Sequence, residues 1–392
     1  YLALNAMNKY IVDGAFTRYD VIGGMKATVW EALDYLDGHC LREALDDRAL
    51  APEVLQDVLI LKSLELVNYF NYHGVDLDDL KSFISGYLKR HQFESVDFSR
   101  FNAAFREKFG IDWKSVLPAC FTGTRIPVYL IQDFHARKVF HNGPYSACAM
   151  LVEFSIFNDS DVDGIISLQT SVSPFYSGGI IAPSLGEYSV KQLRKPYLIK
   201  ARTGKKVSLY LPESLPYVGL NTGISRNIPR IVSAFDESVE RIERYEEYVK
   251  SVEKEEFLPG ENEIIVDNTD DGFRVVENLR FNLRQWFAGN TVTAKQVKPA
   301  NLYGYVMLND EWKTLAEDNA YGQYCRSLVA RNSGNGQSAL EWSATLTRNG
   351  QYEILVYLPE FRGTNIMLQT AGHAKIVGKQ EYTVTLPSGD VK

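Results

Sequence analysis

The chain has 392 residues, a formal net charge of -7 and 45% hydrophobic residues, a length that implies several domains rather than one. The acidic balance and the lack of any Lys/Arg-rich run exclude a nucleic-acid footprint. No apolar run is long enough to span a membrane: the longest, around residues 58–61, is interrupted at once by Lys62 and Glu65.

The chain opens "YLALNAMNKY", with neither an initiator Met nor a basic leader, and closes "TVTLPSGDVK" in a strand-like run, so it reads as a piece of a longer protein. Up to about residue 120 the pattern is helical. "GMKATVWEALDYLDGH" places Val29, Ala32, Leu33 and Leu36 on one face, with Gly38 near its end. "DVLILKSLELVNYF" is apolar almost all round, apart from the strip Lys62, Glu65 and Asn68, and predicts a helix buried on most sides. In "GVDLDDLKSFISGYLKRH", Asp76 is the predicted N-cap, Asp78 and Asp79 occupy the first turn, and Lys89, Arg90 and His91 the last, the charge order a helix dipole favours. "SVDFSRFNAAFREKFG" aligns Phe98, Phe101, Phe105 and Phe109 and stops at Gly110.

After Gly123 the pattern becomes β-rich. "IPVYLIQDF", "SACAMLVEFSIFN", "GIISLQT" and "KKVSLYLP" are short runs separated by turn residues, at a spacing that predicts a β-sandwich. "ESVERIERYEEYVKSVEKEEF", residues 237–257, reads as a charge-laced helical connector. "ALEWSATL" alternates, which points Trp342 inward. Asn349-Gly350 predicts a hairpin turn, with "QYEILVYLP" as the returning strand and "EYTVTL" as a further strand through Tyr382, Val384 and Leu386.

Candidate chemistry is sparse. The cysteines Cys40, Cys120, Cys148 and Cys325 form no C-x-x-C and read as small buried residues. None of the six histidines forms H-E-x-x-H; His135 and His141, near Asp133, face each other across a predicted turn and read better as loop residues than as a metal pair. Asp159, Asp161, Asp163 and Gly164 fit the first half of a calcium loop, but Thr170 stands where a hand-type loop finishes with Glu, so an Asx-rich hairpin is the preferred reading. "DNTDDGF" is a similar near miss through Asp267, Asp271 and Gly272, with turn chemistry the preferred reading. Tyr321 and Tyr324, in a Gly-containing loop, are candidate stacking residues for a sugar.

The stretch from "ILKSLELVNYF" through "GIDWKSVLPACFTGTRIPVYLI" resembles the end of the catalytic domain of zinc aminopeptidases of the aminopeptidase N type, a gluzincin family. Lys62, Gly74, Tyr87 with His91, Gly110 with Asp112, and Pro127 carry the likeness. It implies zinc-assisted peptide hydrolysis in the parent protein, with the metal ligands upstream and Tyr1 standing just after the third of them. The family's oxyanion-stabilising Tyr, two residues before the Lys, corresponds to Ile60, which has no hydroxyl, and Ser63 stands where the family has Gly. The C-terminal part, through Gly350, Tyr352, Ile354, Val356, Pro359 and the later "QEYTV", resembles a golvesin-like domain. That likeness implies a secreted, periplasmic or cell-surface bacterial protein.

The expectation is therefore a multidomain α + β chain: residues 1–122 a helical remnant of a peptidase-like catalytic domain, 123–236 an Ig-like sandwich, 237–257 the connector and 258–392 a golvesin-like sandwich. No catalytic, metal or cofactor residue is expected in it; zinc would belong to the parent. The expected partner is a cell-envelope glycan or a peptide, and the alternatives are a structural glycan-binding module or an accessory region of a polysaccharide lyase.

Overall fold

A computed structural model describes residues 27–141, 148–171, 193–211, 217–234, 239–242, 245–276, 308–332, 338–358 and 383–384. Its helical body is organised on the apolar helix picked out above. That helix, α3 (Pro52–Tyr72), follows α1 (Ala27–Leu36) and α2 (Leu41–Asp46), and Pro52 begins it, where a missing N–H costs nothing. Its first half buries Val54, Val58 and Leu61 against Trp30, Leu33 and Leu36. Its second half buries Leu66, Val67 and Phe70 against α4 (Leu77–Arg90), α5 (Phe98–Phe109) and α6 (Trp113–Thr122). With buried side chains on two opposed stretches and contacts to the sheets beyond, α3 has little surface left for polar residues.

The helix ends follow the local signals. The Asp76 carboxylate accepts from the N–H groups of Asp78 and Asp79 at 2.9 and 3.1 Å. Asp97 and Asp112 cap α5 and α6 in the same way, and Gly110 ends α5 at φ 73°, a conformation that glycine adopts without penalty. Asn102 ties α5 to α6, donating to Asp112 and accepting from the Trp113 N–H at 2.9 and 2.8 Å.

The chain then passes through Pro127 into two facing sheets. The first has the order β8-β1-β2-β5-β9, with β1 (Tyr129–His141), β2 (Cys148–Asn158), β5 (Gly204–Leu211), β8 (Val239–Ile242) and β9 (Tyr248–Val252). The second runs β4-β3-β6-β7, with β3 (Gly164–Ser171), β4 (Leu193–Ile199), β6 (Tyr217–Asn221) and β7 (Ile231–Ala234). All pairings are antiparallel except β1 with β8. Tyr129, Val152, Phe154 and Ile156 from the first sheet pack with Ile166, Leu168, Val218 and Leu220 from the second in one core.

Several expectations need correction. The connector at 237–257 is not a helix: residues 239–242 and 248–252 are the two edge strands of the five-stranded sheet, followed by a single 3-10 turn, Lys254–Phe257. The first sandwich therefore runs past residue 236. His135 and His141 lie on one strand, β1, not across a turn; the chain bulges between Gln132 and His135, with Asp133 at φ 52°. The aspartates at 159–163 do not close a hairpin either, since β2 and β3 belong to different sheets and the segment crosses between them.

In the last third, the described residues form two ribbons. β10 (Phe273–Val276) pairs with β13 (Ala339–Trp342), and β11 (Lys313–Ala316) with β12 (Ser327–Ala330). The partner of β13 is thus β10, not the run after Asn349-Gly350, which is irregular and leaves Ile354, Leu355 and Tyr357 exposed. Trp342 is not core: it lies against Phe273 at 5.4 Å between ring centres and is half-exposed. Pro359, Tyr382 and Leu386 lie outside the described residues.

Candidate functional site

The most concentrated polar chemistry lies where the helical body, the sandwich and the β11–β12 ribbon meet. Asp159, on the crossing from β2 to β3, sits at its centre with a side chain only 7% exposed. Its carboxylate accepts from Arg202 Nη1 at 2.7 Å, from Lys254 Nζ at 2.8 Å on both oxygens, and from the Tyr324 hydroxyl. Burial alone would push this carboxyl up, but the hydrogen bonds from Lys254 and Tyr324 and the charges of Lys254 and Arg202 outweigh it and hold the group below the usual carboxylate range. Tyr324 is pushed up to about 12 by burial and by that same carboxylate.

Local geometry delivers these groups. Asn158, fully buried, accepts from the Ser160 N–H and hydroxyl and donates to the carbonyls of Val162 and Ile199, which fixes the crossing. Asp163 accepts from the Ala201 N–H at 2.8 Å. Arg202 lies in the turn between β4 and β5 at φ 56°, a left-handed conformation that costs a side-chain-bearing residue about 1 kcal/mol. Its double contact, to Asp159 and to Asp161 at 3.0 Å through Nε, offsets that cost. Protein cations and an N–H group thus take the carboxylate oxygens that a calcium loop would offer to its metal. Among the described residues no group of three or more His, Cys, Asp and Glu could hold a metal. At "DNTDDGF" the bonds are those of turns: Asp267 N–H donates to Asp270, and Thr269 Oγ1 to Asp267.

The loop between β11 and β12 is held to the sandwich at several points. Backbone bonds join Ile228 N–H to the Tyr324 carbonyl and Arg326 N–H to the Ile228 carbonyl at 2.9 and 2.7 Å. The half-buried Arg326 guanidinium donates to the carbonyls of Ile131 and Asp318, and Asp318 accepts from the Ser233 N–H and hydroxyl. Ala316 joins the core around Trp30 and Ile126.

Glu317, in the same loop, is buried beside Asp318, and burial with that neighbouring charge raises its carboxyl to about 7. A raised folded-state value means the native chain keeps a proton that the unfolded chain has lost between about pH 4.5 and 7, so stability falls across that window, by up to about 3 kcal/mol. Glu317→Gln should flatten the melting temperature between pH 5 and pH 8 relative to the parent; equal slopes in the two proteins would place the titration elsewhere.

Of the two residues expected to stack on a sugar, Tyr324 is committed to Asp159. Tyr321 is 39% exposed and lies 6.3 Å from the ring of Tyr357, which is also exposed. Along α3, Lys62 is buried and donates to Glu65 at 2.9 Å, Ser63 donates to the Leu59 carbonyl, and Ile60 is half-buried. Tyr87 and His91 meet as tilted rings with centres 4.4 Å apart, and Gly74 adopts φ 85° just past α3. Cys40, Cys120 and Cys325 are free thiols, the first two buried. Sequence reasoning missed Arg202, Lys254 and Arg326; no local pattern marks them, because their partners lie 43, 95 and 195 residues away.

Next to Asp159 opens a cleft of about 490 Å³. Asp37 at the end of α1, Arg125 before β1, Asp159 and Asp161 on the crossing, Arg202 and Arg226 line it. Ile126 and Val128, both buried, form its apolar part.

These features define a mixed chain: a helical body joined to a two-sheet sandwich that is antiparallel except at β1–β8, with a charged junction and no helix, among the described residues, long and apolar enough to cross a membrane. Comparison with protein-family models, with curated proteins and with solved structures finds no match to it.

Proposed function

We propose that this chain is a non-catalytic portion of a zinc-aminopeptidase-like protein working outside the bacterial cytoplasm. The observation that carries the reading is the order of elements. Capped helices run through Gly110, Asp112 and Pro127 directly into a two-sheet sandwich, as the resemblance implies. Ile60 on α3 offers no hydroxyl to a developing oxyanion, so the position where the family carries that hydroxyl supplies none here. Its work is to frame a catalytic domain: α3 forms part of a wall, and the sandwich with its docked ribbon braces that wall. Elemental mass spectrometry tests this on two proteins, this chain and the full-length parent. About one zinc in the parent and none here is expected; stoichiometric zinc in this chain would refute the placement of the metal site. Parent protein with zinc should gain peptidase activity in Ile60→Tyr.

A second reading, a glycan-binding module of the envelope, is favoured by the two exposed rings of Tyr321 and Tyr357. Tyr321→Ala would abolish a glycan-array signal if those rings stack on sugar. Tyr324→Ala is not a fair test of it, because that change also breaks the Asp159 junction.

A further inference from the structure

We propose that the junction cleft binds a small carboxylate-bearing molecule, with the carboxylate held between the guanidinium groups of Arg125 and Arg226. The inference goes beyond the peptidase-like reading and does not depend on it. The three arginines of the cleft are paired unequally. Arg202 makes two short hydrogen bonds, at 2.7 and 3.0 Å, and is committed to the fold. Arg125 approaches Asp161 only to 3.6 Å, on a carboxylate that already accepts from Arg202, and its side chain is 70% exposed. Arg226 meets Asp37 through Nε at 3.3 Å and is 57% exposed, so the outer edge of its fork is not what holds that contact. Exposed pairs this loose contribute little to stability. They leave two planar forks in the cleft lining, and a guanidinium fork matches a carboxylate in two parallel hydrogen bonds.

Position supports the same pair. The Arg226 N–H donates to the Pro127 carbonyl at 2.9 Å, which anchors its backbone two residues from Arg125. Charge decides the class of anion. The cleft lining is balanced, with Arg125, Arg202 and Arg226 against Asp37, Asp159 and Asp161. A monoanionic carboxylate adds a single negative charge to that balance. A phosphate dianion adds two, against the carboxylates of Asp37 and Asp161. The volume is that of a small-molecule pocket. Asp37 and Asp161 can accept from hydroxyl or N–H groups on the same ligand, while Ile126 and Val128 cover its apolar face. An acidic sugar and the free C-terminal carboxylate of a short peptide share this chemistry.

Titration calorimetry on the intact chain tests it with five probes: glucuronate, glucose, N-acetyl-dialanine, the amide of that dipeptide, and inorganic phosphate. Binding of one or both acids, with glucose and the amide at least tenfold weaker, is expected. Glucuronate alone would name the sugar, and the peptide acid alone the peptide. Arg125→Gln and Arg226→Gln should each weaken the acid at least fivefold, and Arg226→Lys should weaken it too, since it keeps the charge and loses the fork. Lys108→Gln, remote from the cleft, should change nothing. Melting curves of the exposed-arginine variants should superimpose on the parent's, and if Arg226→Gln fails to fold, Arg226→Lys and Arg125→Gln carry the test. Acids binding no better than their neutral counterparts, acid binding unmoved by all three variants, or phosphate binding more tightly than either acid would each overturn the proposal.

Discussion

Asp159→Ala is expected to destabilise the protein by about 2–4 kcal/mol and to release the β11–β12 ribbon from the sandwich. The cost comes from what is left behind. Lys254, Arg202 and Tyr324 all point at this carboxylate, and without it the Tyr324 hydroxyl and the Lys254 ammonium lose their acceptor in a partly desolvated place. The figure stays below that for a fully buried network, because Lys254 and Arg202 are 37% and 54% exposed and recover hydration. Tyr324→Phe removes one of these bonds and should cost about 1–2 kcal/mol, less than the sum would suggest when combined with Asp159→Ala, because the two groups share a partner. Urea denaturation and limited proteolysis between residues 317 and 326 report the two effects. A protein with Asp159→Ala that melts like the parent and resists cleavage there would mean the backbone bonds of Ile228, Tyr324 and Arg326 hold the ribbon alone. The acid limb follows with its sign: the folded carboxyl lies below its ordinary value, so its contribution is present above about pH 4 and lost as pH falls through the folded value. The raised Glu317 carboxyl acts in the opposite direction, towards neutral pH.

What could be read from the sequence divides along the range of the interactions. Helices α4 and α5 are legible because their signals are local: Asp76 and Asp97 cap three residues away or less, and Gly110 supplies the positive φ that ends α5. The segment 237–257 misleads for a physical reason. Its charges suit a solvated helix, yet β8 and β9 are the outer strands of their sheet, and charged side chains on edge strands discourage pairing with another chain. The same residues thus satisfy two rules, and pairing with β1 and β5 decides between them. The aspartates at 159–163 stand out in the sequence as a cluster, but their partners do not: Arg202, Lys254 and Tyr324 come from three later segments that only the fold assembles. Tyr324, read as a stacking residue, is assigned by its hydroxyl rather than its ring.

Phe105→Ala should have the largest effect of any single change in the helical body, about 3–5 kcal/mol. The ring is fully buried, with the centres of Phe109, Phe70, Trp113 and Phe83 at 4.8, 5.1, 5.3 and 5.5 Å. Aromatic neighbours on four helices cannot all collapse into the space it leaves, so a cavity remains. The change also reveals how the body is divided. The cluster around Phe105 draws only on residues from α3 to α6. The cluster at the other end of α3 includes Ile126, Ile224, Ile228 and Ala316, from the sandwich and the ribbon. Loosening the first should therefore leave the second docked. Hydrogen exchange in Phe105→Ala is expected to accelerate over residues 77–122 while residues 129–141 and 148–157 stay protected, which is the behaviour of a separable cooperative unit. Equal acceleration over both stretches would show that α3 transmits the loss along its whole length, and that helical body and sandwich unfold as one.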